Sequence, residues 1–381
     1  MSDQDFLRRM PEASHDLRRR SSLAARFRID VPLLFMLMAL STFGLVVLYS
    51  ASGESHYYIE RQVIRLGVAF LIMLVVAQVQ LHALIRWAPY FWIIGVVLLV
   101  LVMFFGSGSK GAQRWLSLGG FRFQPSEIVK VALPIVVAGY LSQRHLPPNI
   151  KHVVWALIII FIPTLMILRQ PDLGTSLLIA ASGLAGLFLA GLRWRYIVGA
   201  LVLLVASAWP IWLFVLREYQ KQRILTMFRP DDDRLGAGWN IFQSKVAIGS
   251  GGLSGKGWMQ GTQSHLDFLP ESHTDFIIAV LAEEFGLIGI LALLTIYLLI
   301  IGRGFVIALN AQDTFGRLLA GSLTLTFFVY VFVNVGMVVG LLPVVGVPLP
   351  LVSYGGTSMI TLMMAFGLLM AISTEQRRVT V

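Results

Sequence analysis

The feature that most constrains this chain is a series of long apolar runs separated by short polar segments. A helix needs roughly 20 residues to cross a hydrocarbon core of about 30 Å, and each run is close to that length. We therefore predict an all-α polytopic membrane protein with about ten transmembrane helices. The predicted spans are 31–52, 62–80, 87–105, 126–143, 152–168, 174–191, 195–216, 275–302, 317–341 and 357–373.

Composition supports this fold class and excludes several functions. Hydrophobic residues make up 57% of the 381 residues and charged residues only 13%, whereas soluble domains are roughly 45–50% apolar. The net charge of +10 is explained by loops that face anionic lipid, so it does not indicate a nucleic-acid partner. The chain has no cysteine, which excludes disulfides and thiolate catalysis.

The distribution of basic residues predicts the orientation of the chain. Ten spans place both termini on one side, and the loops on that side are net positive, as cytoplasmic loops usually are. We therefore expect a multi-pass protein of the cytoplasmic (inner) membrane with both termini in the cytoplasm. The expected parts are a basic tail over 1–30, a membrane domain over 31–373 and a short tail over 374–381.

Two predicted extracytoplasmic loops differ from the others. The loop at 106–125 would place Lys110, Arg114 and Arg122 outside, and these cations are either tolerated there or retained to bind an anion. The loop at 217–274 is by far the longest, and loops of such length in compact folds are usually functional or disordered. Its interleaved aromatic and apolar residues favour an ordered loop that packs on the membrane domain.

The fourth span begins with an acid and a base at helical spacing. Glu127 lies in the first turn and Lys130 follows three residues later, so the two share a face and can pair. The pair is either a structural ion pair that eases burial or part of a substrate or metal site.

Asp172 begins the sixth span, either as a helix cap or as a member of the same outer-face group. Glu127, Asp172 and Asp275 are all predicted on one face of the membrane, so we expect them to line one cavity with Lys130. Carboxylate oxygens at this density can hold Mg²⁺ or Mn²⁺, which makes Glu127 and Asp172 candidate metal ligands. No histidine cluster suggests zinc, and we expect no organic cofactor.

Asp275 is the strongest candidate for a catalytic residue. It follows the polar segment 270–274 and precedes the apolar run of the eighth span, where an acid is costly unless it has a function. The alternative is a helix cap or a first-turn acid, but Thr274 is itself a suitable cap. Glu283, deeper in the same span, is expected to support packing between spans.

The segment 346–357 joins the last two spans. Its two prolines and three glycines prevent a continuous helix. Non-helical backbone at membrane depth is tolerated only where it is buried in protein or lines a cavity. We therefore expect a re-entrant or surface-hugging loop that closes the cavity.

Four segments together resemble the SEDS family of cell-wall proteins (shape, elongation, division and sporulation). They are KGAQRWLSLGGFRFQPSEIVK, QPDLGTSLL, FLPESHTDFIIAVLAEEFGL and LLPVVGVPLPLVSYGGTS, and the resemblance runs over about residues 30–373. GTQSHLDFLPESHTDF and the short C-terminal tail are more similar to the elongation branch of the family than to its division branch.

The resemblance implies a peptidoglycan glycosyltransferase that polymerises lipid II on the outer face of the cytoplasmic membrane. It also implies partners: a class B penicillin-binding protein, whose transpeptidase cross-links the nascent glycan, and other membrane proteins of the elongation complex. The essential Asp of the family lies in its HTDF motif, which is Asp275 here.

This reaction needs a base for the attacking hydroxyl and positive charge for the departing polyprenyl diphosphate. Asp275 would be the general base, and the candidate cations are Arg114, Lys130, Arg223 and Lys245. Two rival functions remain open. A flippase for the lipid-linked precursor predicts polar groups at the midplane and at both faces, whereas a scaffold for a partner enzyme leaves Asp275 unexplained.

Overall fold

A computed structural model describes residues 28–106, 114–118, 121–229, 237–262 and 272–375. Most of both predicted tails lies outside these residues. Within them the chain forms twelve α-helices, so the predicted all-α fold class is confirmed. The helices are α1 (Val31–Ala51), α2 (His56–Ala77), α3 (Leu81–Phe105), α4 (Pro125–Ser142), α5 (Ile150–Arg169), α6 (Leu173–Leu189), α7 (Trp194–Pro210), α8 (Glu218–Phe228), α9 (Ala237–Gly251), α10 (Ile277–Asn310), α11 (Thr314–Val339) and α12 (Thr357–Ser373).

One short hairpin interrupts the helical pattern, ahead of α4. Strands β1 (Leu116–Leu118) and β2 (Phe121–Phe123) pair antiparallel, with Ser117 opposite Arg122. The hairpin lies in the loop predicted at 106–125. It therefore places Arg114 directly before a short ordered element, rather than in an unstructured connection.

Each of the ten predicted spans corresponds to a helix. Seven helices of the described chain are long and apolar enough to cross a membrane: α1, α3, α4, α5, α7 with the π-helical turn Ile211–Val215 that continues it, α10 and α11. Helices α6 and α12 are apolar but have only 17 residues each. Helix α2 is longer but carries Glu60, Arg61 and Arg65.

Several helix boundaries differ from the predicted ones because charged residues lie inside helices, and α3 is one case, since it begins at Leu81 rather than at 87 and contains Arg86. Helix α2 begins at His56 rather than at 62, since the charges in its first turns hide good helix formers from a search for apolar runs. Helix α10 extends to Asn310 rather than 302. Arg303 does not end it, because its guanidinium pairs with Asp30 at 2.7 Å from the start of α1.

Helix α4 is the centre of the bundle, and α7 is its least embedded member. Helix α4 packs against α3, α5, α6, α11 and α12, and most of its residues are buried. In contrast, no described residue of α7 is buried. The first turn of α4, which carries Glu127, is therefore enclosed by several helices.

The ordered part of the 217–274 loop is joined to a break in α10. Gly286 interrupts the helix with a left-handed backbone, φ +65°, a conformation that glycine adopts without steric cost. The break leaves the carbonyls of Glu283 and Glu284 free to accept hydrogen bonds from the backbone N–H groups of Lys256 and Gly257, both at 3.0 Å. The loop is thus a packed element, as its composition predicted.

The Glu283 carboxylate fastens the same loop from inside the protein. It is fully buried, and its Oε1 accepts from Lys256 Nζ at 2.6 Å. The same oxygen accepts from Thr262 N at 2.9 Å and from Thr262 Oγ1 at 2.8 Å. Each donor compensates part of the desolvation of a buried carboxylate, so these contacts of Glu283 hold the loop, whereas the predicted role was packing between spans.

Candidate active site

Glu127 links three helices at one end of the bundle. Its Oε1 accepts a hydrogen bond from Lys130 Nζ at 2.8 Å, so the pairing predicted from their spacing is present. Its Oε2 accepts from Thr361 Oγ1 of α12 at 2.6 Å. The Lys130 ammonium also lies 5.8 Å from the ring centroid of Tyr330 on α11.

Asp172 is both a helix cap and a member of this group. Its Oδ1 accepts from the backbone N–H of Thr175 at 3.2 Å, which caps α6. Its Oδ2 accepts from Gln124 Nε2 at 3.1 Å, and Arg114 Nη1 lies 3.8 Å away. Since Gln124 directly precedes α4, the environments of Asp172 and Glu127 adjoin.

Two of the predicted cations gather around Asp172. The Arg114 guanidinium donates to the carbonyls of Gln170, at 3.4 Å, and of Pro171. Burial, together with the charge of Arg114, lowers the pKa of the Arg223 guanidinium, while Tyr219 and Asp172 act in the opposite direction. Arg223 on α8 is therefore close enough to Arg114 and Asp172 for their charges to affect its pKa. Because the pKa of an arginine guanidinium is ordinarily very high, Arg223 keeps its charge at neutral pH.

Lys245 lies apart from these cations. It belongs to α9 and sits beside Gly340, where a methyl group added to the glycine would be 2.9 Å from Lys245 Nζ. Gly340 ends α11 in a left-handed conformation, and a cation near a helix C-terminus is stabilising. Within the described ranges, no hydrogen bond or ion pair joins Lys245 to Glu127 or Asp172. Lys110 and the side chain of Arg122 lie outside what the structure describes.

Asp275 lies in a turn that ends just before α10, one residue ahead of the cap position of that helix. Helix α10 begins at Ile277 with Phe276 in the cap position, and the Phe276 side chain makes no cap bond. The expectation that Thr274 fills the cap position is therefore wrong. The chain is still turning at both residues, so the helix starts later than the apolar run.

The turn that presents Asp275 is held by the backbone on its inner side. Three consecutive carbonyls each accept a hydrogen bond from α11 or from the connection between α11 and α12. The bonds are Tyr354 N to His273 O at 2.9 Å, Ser353 Oγ to Thr274 O at 2.5 Å, and Asn334 Nδ2 to Asp275 O at 3.0 Å. These contacts fix the turn without using the Asp275 carboxylate.

The connection between α11 and α12 enters the bundle between the acids. A methyl group on Gly174, close to Asp172, would lie 2.7 Å from Val345 O, and one on Gly346 would lie 3.6 Å from Asp275 Oδ2. Deeper inside, Pro350 O accepts from the hydroxyl of Tyr297 on α10 at 2.7 Å. The connection is thus re-entrant, and it contacts the surroundings of both aspartates.

A cavity of about 680 Å³ runs along α3, α4 and α12. Its charged, amide and hydroxyl side chains, Gln124, Glu127, Thr357 and Thr361, all lie at the starts of α4 and α12. Farther along these helices its wall is apolar, for example at Leu368. Of the three acids expected to line one cavity, Glu127 does so, while Asp172 and Asp275 lie outside its wall.

The two candidate metal ligands do not form a metal site by themselves. All four of their carboxylate oxygens already accept from, or lie beside, protein donors, including Lys130 and Arg114. No group of three or more His, Cys, Asp or Glu in the described ranges is arranged to hold a metal ion. A bound Mg²⁺ would have to displace these donors, although divalent ions favour carboxylates that are free of cations.

Three site residues were missed by sequence reasoning. Thr361 binds Glu127, Tyr330 flanks Lys130, and Asn334 binds the backbone of Asp275. A signal was present for Asn334, because an amide inside an apolar run is costly unless it has partners. Hydroxyl groups carry a weaker signal, since they can bond their own helix backbone.

Comparison with known proteins decides the family. Residues 31–378 match the profile of the FtsW/RodA/SpoVE family of cell cycle proteins. The chain belongs to this family. Among FtsW/RodA/SpoVE relatives, the peptidoglycan glycosyltransferase MrdB of Escherichia coli (strain K12) is 54% identical over 353 residues, covering 92% of this chain and 95% of MrdB. A probable peptidoglycan glycosyltransferase FtsW of Trichlorobacter lovleyi is 37% identical, covering 90% of this chain and 93% of its own length.

Solved structures of the FtsW/RodA/SpoVE family share the fold. A chain from a peptidoglycan synthase complex that coordinates polymerization and crosslinking superposes with a TM-score of 0.79 at 29% identity, over 90% of this chain and 97% of that one. The crystal structure of Thermus thermophilus RodA gives a TM-score of 0.68 at 28% identity, over 90% and 96%. The resemblance drawn from the motifs, including its elongation branch, is thereby confirmed.

Proposed function

We propose that this peptidoglycan glycosyltransferase polymerises lipid II on the outer face of the cytoplasmic membrane during cell elongation, with the Asp275 carboxylate as general base. The braced turn that presents Asp275 carries the proposal. Its backbone is bound at three consecutive carbonyls, by donors from α11 and from the connection between α11 and α12. A carboxylate presented from a firmly held turn is what a proton transfer from substrate needs.

The reaction joins two lipid-linked substrates. The 4-hydroxyl oxygen of the acceptor sugar forms a bond to the anomeric carbon of the donor, and the bond from that carbon to the diphosphate oxygen breaks. The hydroxyl proton passes to the Asp275 carboxylate, and the polyprenyl diphosphate leaves with the bonding electrons. A positioned base contributes about 10²–10⁴-fold to such a step.

The departing diphosphate gains negative charge, which nearby cations stabilise. Arg114 and Arg223 stand beside Asp172, and the connection between α11 and α12 passes both Gly174, close to Asp172, and Asp275. Lys130 is bound to Glu127 and is nearly buried, so its charge is largely compensated. We assign Arg114 and Arg223 to the diphosphate and the Glu127–Lys130 pair to support of the site.

The cavity beside Glu127 fits the polyprenyl chain of the substrate. It is apolar along α3, α4 and α12 and becomes polar only at the end nearest Glu127. Apolar cavities with a few polar groups at one end orient a ligand in a single direction. Bound in this way, the hydrocarbon chain would place its diphosphate near the outer ends of α4 and α12.

The same distribution of polar groups argues against a flippase. A carrier for a lipid-linked sugar needs polar groups along its path, at the midplane and at both faces. The charged and hydroxyl groups of the described cavity lie at one end only. The buried carboxylate of Glu283 does not line this cavity, and it accepts hydrogen bonds from Lys256 and Thr262.

A transpeptidase partner follows from the family. One of its members occurs in a complex that coordinates polymerization with crosslinking. We propose that this chain likewise acts with a class B penicillin-binding protein, within a set of elongation-complex membrane proteins. Crosslinking uses strands that are still being extended, so a membrane-bound partner next to the polymerase would meet its substrate as it forms.

The function is tested with purified full-length protein and fluorescently labelled lipid II. Glycan strands longer than the substrate, separated by size on a gel, are the expected product. If the protein instead moved intact lipid II between the leaflets of a vesicle and made no strands, the proposed function would be wrong and the flippase function would be supported. The strand assay and the leaflet assay use the same preparation, so one of the two functions is supported directly.

A further inference from the structure

Helix α2 presents a polar face to the end of the α11–α12 connection. Tyr58, Gln62 and Arg65 follow one another at spacings of four and three residues, so they share one side of the helix. Gln62 Nε2 donates to Ser353 O at 3.1 Å. This face therefore touches the same connection that braces the Asp275 turn.

Arg65 is stacked on the ring of Tyr354. Its guanidinium carbon lies 4.7 Å from the ring centroid, within the range of a cation–π contact. Tyr58 meets the same ring edge-on, with centroids 5.1 Å apart. A methyl group on Gly356 would lie 3.7 Å from the Arg65 guanidinium, so the cation is confined from two sides.

Arg65 differs from several other partly buried cations because no carboxylate of the described chain pairs with it. Arg114, Lys130 and Arg303 each lie within 4 Å of a carboxylate. Among the described residues, Arg65 forms no ion pair and donates no hydrogen bond to the protein. A guanidinium that is partly removed from water and lacks an anion is well suited to bind one, and its planar fork matches phosphate oxygens.

A second unsatisfied group lies next to it. The side chain of Gln62 is almost fully buried, 1% exposed, and its Oε1 has no hydrogen-bond partner in the structure. Buried polar atoms are nearly always paired, and an exception calls for an explanation. This acceptor is enclosed by protein, so it adds uncompensated negative partial charge behind the Arg65 face rather than an exposed contact for a ligand.

Arg65 lies at one end of the connection between α11 and α12, and the pair Arg114 and Arg223 lies near its other end. The connection meets Gly174, next to Asp172, at Val345, and it meets Arg65 at Tyr354 and Gly356. Between these points it contacts the Asp275 carboxylate at Gly346 and its turn through Ser353. Two cationic groups thus flank the proposed base.

We propose that Arg65, held on Tyr354, binds the diphosphate of a second lipid-linked saccharide. The inference rests on the proposed function: polymerisation joins two substrates, each with its own diphosphate, so an outer face with one anion site is incomplete. Arg114 and Arg223 hold one diphosphate and Arg65 holds the other, and the attacking hydroxyl and the anomeric carbon meet at Asp275. If Arg65 only packs against Tyr354, its removal leaves diphosphate binding unchanged.

The test counts binding sites without any turnover. Full-length Asp275→Asn protein in nanodiscs of zwitterionic lipid is titrated with undecaprenyl diphosphate, and bound equivalents are counted by native mass spectrometry. Two equivalents are expected. Adding Arg65→Ala should weaken the second by about ten- to a hundredfold, the range for a charge-assisted hydrogen bond. Arg65→Lys, which keeps the cation without the planar fork, should weaken it less.

A matched control is available at the other end of α4. Arg144 lies 5.5 Å from the ring of Tyr140, so Arg144→Ala removes the same kind of contact far from Asp275, and both equivalents should remain. The proposal is overturned by a single equivalent in the Asp275→Asn protein, by two unchanged equivalents after Arg65→Ala, or by loss of both. It is also overturned if phosphatidylglycerol displaces the second equivalent, since Arg65 would then bind lipid headgroups.

This count is separate from the catalytic assignment. Wild-type polymerisation by Asp275→Asn protein would refute the general base and leave the number of diphosphate sites unaffected. Conversely, an inactive Asp275→Asn protein that binds one equivalent of diphosphate would support Asp275 as the base and refute the second diphosphate site. A melting curve for each variant shows that it is folded, and Arg65→Lys stands in for Arg65→Ala if the alanine protein does not fold.

Discussion

The side-chain amide of Asn334 donates hydrogen bonds to the carbonyls of Asp275, at 3.0 Å, and of Val347, at 2.7 Å. Asn334 is fully buried near the end of α11. One amide group therefore fixes the turn before α10 and the re-entrant connection relative to each other. The position of the Asp275 carboxylate therefore depends on Asn334, whose side chain holds the backbone carbonyl of Asp275.

Asn334→Leu is expected to lower kcat by tenfold or more while changing KM little. Leucine has a similar volume but leaves both carbonyls without their donor, and a displacement of about 1 Å can reduce catalysis by about 10²-fold. Steady-state polymerisation of lipid II measures both constants. Thr324→Val is the control, because the Thr324 hydroxyl bonds only Ala320 O of its own helix. Equal loss in both variants would mean that Asn334 merely stabilises α11.

Glu127→Gln is expected to act by leaving Lys130 unpaired. Removal of one partner of a buried ion pair destabilises by about 3–5 kcal/mol, because the other charge stays buried. Glu127→Gln combined with Lys130→Met should recover a large part of that loss in thermal unfolding. If Glu127 were instead a ligand of Mg²⁺ or Mn²⁺, the double variant would not recover, and bound metal measured in purified wild-type protein would disappear.

Asp30 makes stability depend on pH in the acid range. Burial alone would raise the pKa of Asp30, but hydrogen bonds from Arg303, Ser373 and the Leu33 N–H, with the Arg303 charge, hold it below its ordinary 3.8. A carboxyl whose pKa is lowered on folding stabilises the protein above the unfolded pKa and loses that contribution as pH falls through the folded value. The thermal midpoint should therefore drop below about pH 3.8.

Asp30→Asn should remove this acid-dependent step and lower the midpoint already at neutral pH. Asp313 provides the control, since it occupies the cap position of α11 without a side-chain cap bond, and Asp313→Asn should leave the acid transition in place. Detergent-solubilised protein scanned between pH 7 and pH 3 gives both results. An unchanged acid transition in Asp30→Asn protein would mean that other carboxyls control it.

Features that depend on local sequence were predictable, and contacts between distant segments were not. Apolar runs gave every helix that spans the bundle, because span length is set by the bilayer. The Glu127–Lys130 pair followed from a spacing of three residues. Thr361 and Glu127, in contrast, are 234 positions apart, and no periodicity in either helix indicates that they meet.

The start of α2 shows how a useful residue escapes prediction. Arg65 lies inside the predicted span at 62–80, but no local pattern in that span marks it as part of a site. Its neighbours Tyr354 and Gly356 belong to the last connection, whose path through the bundle follows from three-dimensional packing. The separate location of Lys245 has the same cause, because the docking of α9 on α11 is not encoded locally.

The proposed orientation is checked by labelling single cysteines, since the chain has none of its own. Asp232→Cys lies in the long loop, outside the described residues, and should react with a membrane-impermeant maleimide added to cells with a permeabilised outer membrane. His145→Cys, exposed just after α4, should react only after the inner membrane is opened. The reverse pattern would invert the topology and place Asp275 on the cytoplasmic face.

Asp275→Asn separates the base from every structural role of this residue. Asparagine has nearly the same shape, and the three backbone bonds that hold the turn do not involve the carboxylate, so the variant should fold and keep its partner. It lacks a group that can accept the hydroxyl proton. Strand synthesis should therefore fall by about two orders of magnitude or more. KM should change little, because the loss is confined to the transition state. Near wild-type polymerisation by stably folded Asp275→Asn protein would refute the general base, since asparagine has no comparable basicity.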